Sequence, residues 1–247
     1  MLSTAERVYR PGSELVVGQR SSSARGELKL VRRDVRTDAS VPARRLLNIS
    51  AAAAALIVLF PVMQLIALVI KLTSKGPVLY KQTRVGIDRR SGSGGNWRRK
   101  IDYGGRLFTI YKFRTMTAGN SDAEVWAMPG DKRITKVGRF LRIYRLDELP
   151  QLVNVLKGDM NIVGPRPEQP RIFLELRDAV DRYPERQRVL PGITGWAQIN
   201  QPYDRNLDDV RQKIRFDLEY ARAASASRDL EIMLRTLPVV LFGKGGW

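Results

Sequence analysis

Between Leu46 and Ile70 the chain runs for 25 residues without a single charge, LLNISAAAAALIVLFPVMQLIALVI. As a straight helix this run would be roughly 37 Å long, more than the ~30 Å hydrocarbon core of a bilayer requires. Soluble helices rarely stay apolar on every face over such a length. A membrane segment is therefore expected, with a buried core helix as the alternative. Arg32, Arg33, Arg36, Arg44 and Arg45 precede the run, and Lys71, Lys75, Lys81 and Arg84 follow it. A spanning helix usually carries its basic residues on one flank; here both are loaded. Pro61 lies near the middle, where it removes a backbone donor and kinks a helix. Together these features predict a helix that enters the bilayer, breaks at Phe60-Pro61 and returns to the same face. A simple spanning helix stays open.

The rest of the chain divides around this segment. Residues 1–45 are polar and basic and read as a mobile tail, residues 46–72 as the re-entrant helix, and residues 73–247 as a catalytic domain. The alternating stretches Val78–Val85 and Leu107–Phe113 predict a β-hairpin, joined by a Gly-, Ser- and Arg-rich connection from Asp88 to Gly105. Residues 119–131 read as loop. Helical patterns follow from Thr135, from Asp147 to Gly158, over 170–183, over 207–223 and over 228–242, the last an amphipathic, interfacial helix. The fold class is mostly α with a small β-hairpin, α+β.

The 247 residues carry 43 Lys and Arg against 25 Asp and Glu, a net charge of +18. Such an excess faces a polyanion: nucleic acid, an anionic membrane or phosphorylated substrates. Cysteine and histidine are both absent. Thiol nucleophiles, disulfides and the usual nitrogen and sulfur metal ligands are excluded, so any metal should be a hard, oxygen-liganded cation.

One acidic pair stands out. Asp147-Glu148 opens a helical pattern, and that position alone has an ordinary explanation as cap and dipole partner. Arg139, Arg142 and Arg145 lie just before it, and Gly164-Pro165-Arg166-Pro167 follows. A carboxylate that attacks phosphorus needs cations to neutralise the phosphate it approaches. The same arginines could form a solvated face, and spacing does not decide between the two.

The stretch from Leu146 to Pro167, LDELPQLVNVLKGDMNIVGPRP, resembles the central motif of the bacterial sugar transferases, the monotopic phosphoglycosyl transferases. So do Lys75–Gln82 (KGPVLYKQ), Tyr111–Met116 (YKFRTM), Pro191–Asn200 (PGITGWAQIN) and Asp229–Ile232 (DLEI), all in order. The resemblance implies transfer of a sugar-1-phosphate from a UDP-sugar to undecaprenyl phosphate at the cytoplasmic face of the bacterial inner membrane. Asp147 would be the nucleophile, with Glu148 and Asp147 holding Mg²⁺. Asp229 would assist as a third catalytic carboxylate. Lys112, Arg142 and Arg166 would bind phosphate, and Gln198 would shape the nucleotide or lipid-phosphate side. Asp229 also has the credentials of an N-cap. The partners implied are the UDP-sugar donor, undecaprenyl phosphate and anionic lipids; nucleic acid is not among them, and a homodimer is compatible. Two other readings stay open: a basic, membrane-anchored nucleic-acid-binding protein and an inactive scaffold of the same fold.

Overall fold

In the computed structural model, residues 40–89, 102–117, 131–201 and 206–241 are described. The first 39 residues, and most of the Asp88–Gly105 connection and of the 119–131 loop, lie outside them.

The apolar run belongs to one 34-residue helix, α1 (Ser40–Thr73), about 51 Å long by its rise per residue. It begins before residue 46, so residues 40–45 are helix and not tail. Its hydrogen-bonded course continues through Pro61, where the sequence predicts a break. Proline leaves the Ile57 carbonyl without its usual donor, but a helix can accommodate one missing bond.

The buried positions of α1 run along one face: Arg44, Asn48 and Ala52, then Ile66 and Ile70. Ala52 packs with Leu152, Val155 and Met160. Ile66 and Ile70 pack with Phe113 and Leu141. Both ends of α1 therefore rest on the same domain. Between them Ile57, Val58, Phe60 and Val62 stay exposed, Ile57 by 77%. This is the one helix among the described residues long and apolar enough to cross a membrane. Arg44 and Arg45, which the sequence places on the basic flank of the apolar run, point into the domain. Arg45 donates to the carbonyls of Met160 (2.8 Å) and Val155 and to Asn161 Oδ1.

Strands β1 (Leu79–Val85) and β2 (Leu107–Phe113) pair antiparallel, with Tyr80 opposite Lys112 and Arg84 opposite Phe108. Side chains alternate across a strand, so Phe108, Ile110 and Lys112 share a face. Phe108 and Ile110 enter the core beside α1, and Lys112 extends that inward row. Helix α2 (Lys136–Ile143) starts on a Thr135 cap that accepts from Gly138 N at 2.8 Å.

The helix expected from Asp147 to Gly158 divides in two. Leu146–Glu148 form a 3₁₀ turn, and α3 covers Gln151–Lys157. Pro150 has no N–H to extend an α-helix back to Leu146, so the turn closes on shorter bonds, Glu148 N to Arg145 O and Leu149 N to Leu146 O. Asp147 therefore caps nothing. Gly158 ends α3 at φ 85°, as expected for a C-terminal glycine.

A short parallel pair, β3 (Asn161–Val163) and β4 (Gly192–Thr194), escapes sequence reading because three residues carry no period. Here Gly164 and Gly192 let two backbones cross; a Cβ on Gly164 would collide with Leu190 O, and one on Gly192 with Gly164 N. Helix α4 (Pro170–Ala179), a 3₁₀ turn at Tyr183–Arg188, α5 (Trp196–Asn200), α6 (Leu207–Ala223) and α7 (Ala226–Leu241) complete the domain. Helices α4 and α6 build the largest core, around Phe173, Leu176, Tyr183 and Ile214.

That core encloses charge. Glu168 accepts from Lys213 at 2.9 Å and Arg186 at 3.3 Å, and Arg186 lies 2.8 Å from Asp217. Burial pushes the Glu168 carboxyl up, but Lys213, Arg186 and Arg84 outweigh it and hold it well below the ordinary range. A folded value below the unfolded one means stability present at neutral pH and lost as pH falls beneath about 4.5. Glu168→Gln should therefore cost on the order of 3 kcal/mol at pH 7. The gap between variant and wild-type melting temperatures should narrow as the buffer is taken from pH 5 to pH 3. A gap that ignores pH would disprove the assignment.

Candidate active site

Arg145, just before the Leu146–Glu148 turn, takes the left-handed conformation, φ 56°. This reverses the chain and tucks Asp147 and Glu148 inward, at 8% and 5% exposure. The inward row of β2 delivers Lys112, whose Nζ donates to Glu148 Oε1 at 2.9 Å. From the other side comes Arg166, with Nη2 to Oε1 at 2.8 Å and Nη1 to Oε2 at 3.4 Å, a forked contact. Arg145 Nη1 stands 3.9 Å from Oε1. Arg142 donates its Nε to the Thr115 hydroxyl at 3.0 Å and its charge is felt at Asp147.

The two adjacent carboxylates thus have different surroundings. Burial would raise Glu148, but Arg166, Lys112 and Arg145 hold it well below the ordinary range. Asp147 has no hydrogen-bond or ion-pair partner among the described residues. Burial, with Glu148 alongside, pushes it up against the pull of Lys112, Arg142 and Arg166. Neighbouring carboxyl groups whose environments drive them apart serve different roles. Lys112 is itself lowered, because burial outweighs Glu148.

Arg84 belongs here too, and the sequence reading did not single it out. It sits on the inward side of β1, donates to Pro167 O at 3.1 Å and Gln82 Oε1 at 2.6 Å, and its charge faces Glu148, Arg166 and Lys112. The alternation Tyr80, Gln82, Arg84 on one strand, with Lys112 opposite Tyr80, was the available signal. Five cations, Lys112, Arg84, Arg142, Arg145 and Arg166, surround two carboxylates. The excess positive charge suits a diphosphate.

Lys112, Arg142, Asp147, Glu148 and Arg166 come together; two of the expected residues do not join them. Asp229 is fully buried at the joint of α1 and α7, where Asn48, Tyr220 and Arg44 surround it. Nor does it cap α7: the Ser225 hydroxyl takes the Arg228 N–H instead, at 3.2 Å. Gln198 on α5 donates to Ile193 O at 3.1 Å. Its neighbour Trp196 stacks under Arg228, 3.8 Å from the ring centre. No three carboxylates gather among the described residues; Asp147 and Glu148 are the acidic pair that could offer oxygens to a hard cation.

A buried, cation-ringed acidic pair thus sits on a helical domain that carries one helix long and apolar enough to cross a membrane. The chain matches the bacterial sugar transferase family over residues 39–243 and belongs to that family. It is 37% identical to an undecaprenyl-phosphate glucose phosphotransferase of Komagataeibacter xylinus, over 83% of this chain and 37% of that protein. It is 41% identical to the UDP-N-acetylgalactosamine-undecaprenyl-phosphate N-acetylgalactosaminephosphotransferase of Aeromonas hydrophila, over 82% of this chain and 44% of that one. A UDP-glucose:undecaprenyl-phosphate glucose-1-phosphate transferase of Caulobacter vibrioides is 39% identical, over 80% of this chain and 69% of its own length. The chain thus spans less than half the length of the first two.

Proposed function

We propose that the chain transfers a sugar-1-phosphate from a UDP-sugar to undecaprenyl phosphate, opening assembly of an exopolysaccharide or O-antigen-type glycan. The observation that carries this reading is Asp147: a buried carboxylate with no hydrogen-bond partner among the described residues, beside a Glu148 already clamped by Lys112 and Arg166. Partial desolvation makes a carboxylate a stronger nucleophile than full hydration does.

In the first step an Asp147 oxygen bonds to the sugar-bearing phosphorus while the bond to the bridging oxygen of the diphosphate breaks. UMP leaves with that electron pair. In the second step an oxygen of undecaprenyl phosphate attacks the same phosphorus, and the Asp147 carboxylate departs. Arg142, Arg166 and Lys112 neutralise the phosphate oxygens that the nucleophile must approach. Mg²⁺, held by Asp147 and Glu148, would supply charge neutralisation on the diphosphate. The donor sugar is glucose or an N-acetylated hexosamine, the classes that the relatives' names give. Incubating the purified protein with Mg²⁺, undecaprenyl phosphate and a panel of UDP-sugars tests the reading. UMP release with one donor supports it, and none across the panel rejects it.

The membrane geometry is proposed as re-entrant and monotopic, with the domain at the cytoplasmic face of the inner membrane. What supports this is that Arg44 and Asn48 at one end of α1, and Ile66 and Ile70 at the other, pack on one domain. The absence of native cysteine allows single-cysteine probes at exposed Ala43 and Lys75. In intact spheroplasts a membrane-impermeant maleimide should label neither, and both should react after lysis. Labelling of one site from outside would establish a spanning helix.

A further inference from the structure

The Arg166 side chain reaches Glu148 from a loop whose backbone is held in an unusual way. Pro165 and Pro167 fix two φ angles and remove two donors. All four carbonyls from Pro165 to Glu168 are nevertheless bonded from outside the loop. Pro165 O accepts from Gly192 N at 3.0 Å, and Glu168 O from Val85 N at 2.9 Å. The middle two take side chains: Arg186 Nη2 donates to Arg166 O at 2.9 Å, and Arg84 Nη1 to Pro167 O at 3.1 Å.

Arg186 touches none of the catalytic carboxylates. It is 3% exposed and engaged through both terminal nitrogens: Nη1 to the Tyr183 hydroxyl at 2.8 Å and to Glu168 Oε1 at 3.3 Å, Nη2 at 2.8 Å from Asp217. Glu168 in turn takes Lys213, which stands one turn before Asp217 on α6. A continuous chain of contacts therefore links α6 through Asp217 and Arg186 to the Arg166 backbone, and through the Arg166 side chain to Glu148.

We propose that Arg186 is a positioning residue that sets the Arg166 guanidinium against Glu148 and the substrate phosphate, with Asp217 and Glu168 orienting Arg186. A lysine cannot reproduce this role, since one ammonium does not span Arg166 O, Glu168, Asp217 and the Tyr183 hydroxyl at once. Groups that orient a functional residue typically change activity 10–100-fold when replaced.

The test uses the full-length protein in nanodiscs. Arg186→Lys should lower kcat for UMP release roughly 30-fold, with KM for the UDP-sugar changing less than about threefold. Because Arg186 acts through Arg166, the double variant R166K/R186K should be no slower than R166K within about twofold. Full multiplication of the two losses, or wild-type kcat in Arg186→Lys, would overturn the proposal. Asp217→Asn guards against misfolding: it keeps Arg186 and weakens only its orientation, and should lower kcat about tenfold.

The kinetic arm rests on the transfer activity proposed above, so a second readout stands apart from it. The Val85 and Gly192 amides, which donate to Glu168 O and Pro165 O, are local probes of the loop. Their hydrogen exchange should speed up at least about tenfold in Asp217→Asn, while that of α3 stays unchanged. If wild-type protein releases no UMP, the transfer reading fails and exchange alone decides. Unaltered exchange at Val85 and Gly192 would then sink the positioning role.

Discussion

Asp147→Asn is expected to cut UMP release by at least about 10⁴-fold, the scale of losing a covalent nucleophile. Asparagine keeps the volume and one acceptor oxygen but is a poor nucleophile toward phosphorus. The informative part is what should happen to stability. Asp147 is buried and meets no donor among the described residues, so its charge is a desolvated one at the expense of the fold. Replacing it with a neutral isostere should leave the melting temperature in EDTA unchanged or raise it by a few degrees. Sites that trade stability for reactivity behave this way. Glu148→Gln should do the reverse. It strands Lys112 and Arg166, which meet Glu148 at 2.9 and 2.8 Å, and should melt several degrees lower. Two neighbours in sequence would thus respond with opposite signs. Loss of activity in Asp147→Asn together with a fall in melting temperature as large as that of Glu148→Gln would make Asp147 structural.

Part of this site could be read without coordinates because its pieces are local. Asp147 and Glu148 are adjacent, Arg142 and Arg145 are one turn away, and Lys112 lies on a strand whose period of two tells its face. The hairpin and α6 were legible for the same reason: their apolar periods are long enough to assign. What could not be read depends on pairing across the chain. The burial of Arg44 and the inward bonds of Arg45 follow only from the docking of α1 on β3 and α7, more than a hundred residues away. Without it, a basic pair before an apolar run looks like a headgroup anchor. The start of α3 was misplaced because Asp147 seemed a good cap, whereas Pro150 and the left-handed Arg145 set a 3₁₀ turn there. Arg84 was overlooked because a lone arginine in a strand has many ordinary uses.

Asp229 separates the two kinds of evidence most sharply, and its replacement carries the second large effect. The motif around it implies a catalytic carboxylate. In the fold it is 0% exposed and bound on several sides: Asn48 Nδ2 at 2.8 Å, the Tyr220 hydroxyl at 2.7 Å, and Arg44 Nε and Nη2 at 3.4 and 3.5 Å. Arg44 also donates to the Tyr220 hydroxyl at 2.7 Å, and Asn48 Oδ1 accepts from Ile162 N at 2.8 Å. These bonds pin the start of α1 to α6, α7 and β3. Asp229→Asn would leave the buried Arg44 without its counter-charge, at a cost of about 3 kcal/mol. For a domain of this size that is a fall in melting temperature of roughly 6–12 °C. The folded protein that remains should release UMP within about tenfold of wild type, because Asp229 touches neither Asp147 nor Glu148. Arg44→Gln alone should be comparably harmful, since it strands the carboxylate instead. Combined, R44Q/D229N removes both charges, and the pair should recover most of the lost melting temperature, as replaced buried ion pairs do. A variant D229N that melts like wild type yet releases no UMP would return Asp229 to the chemistry and assign the clamp no more than a share of the packing.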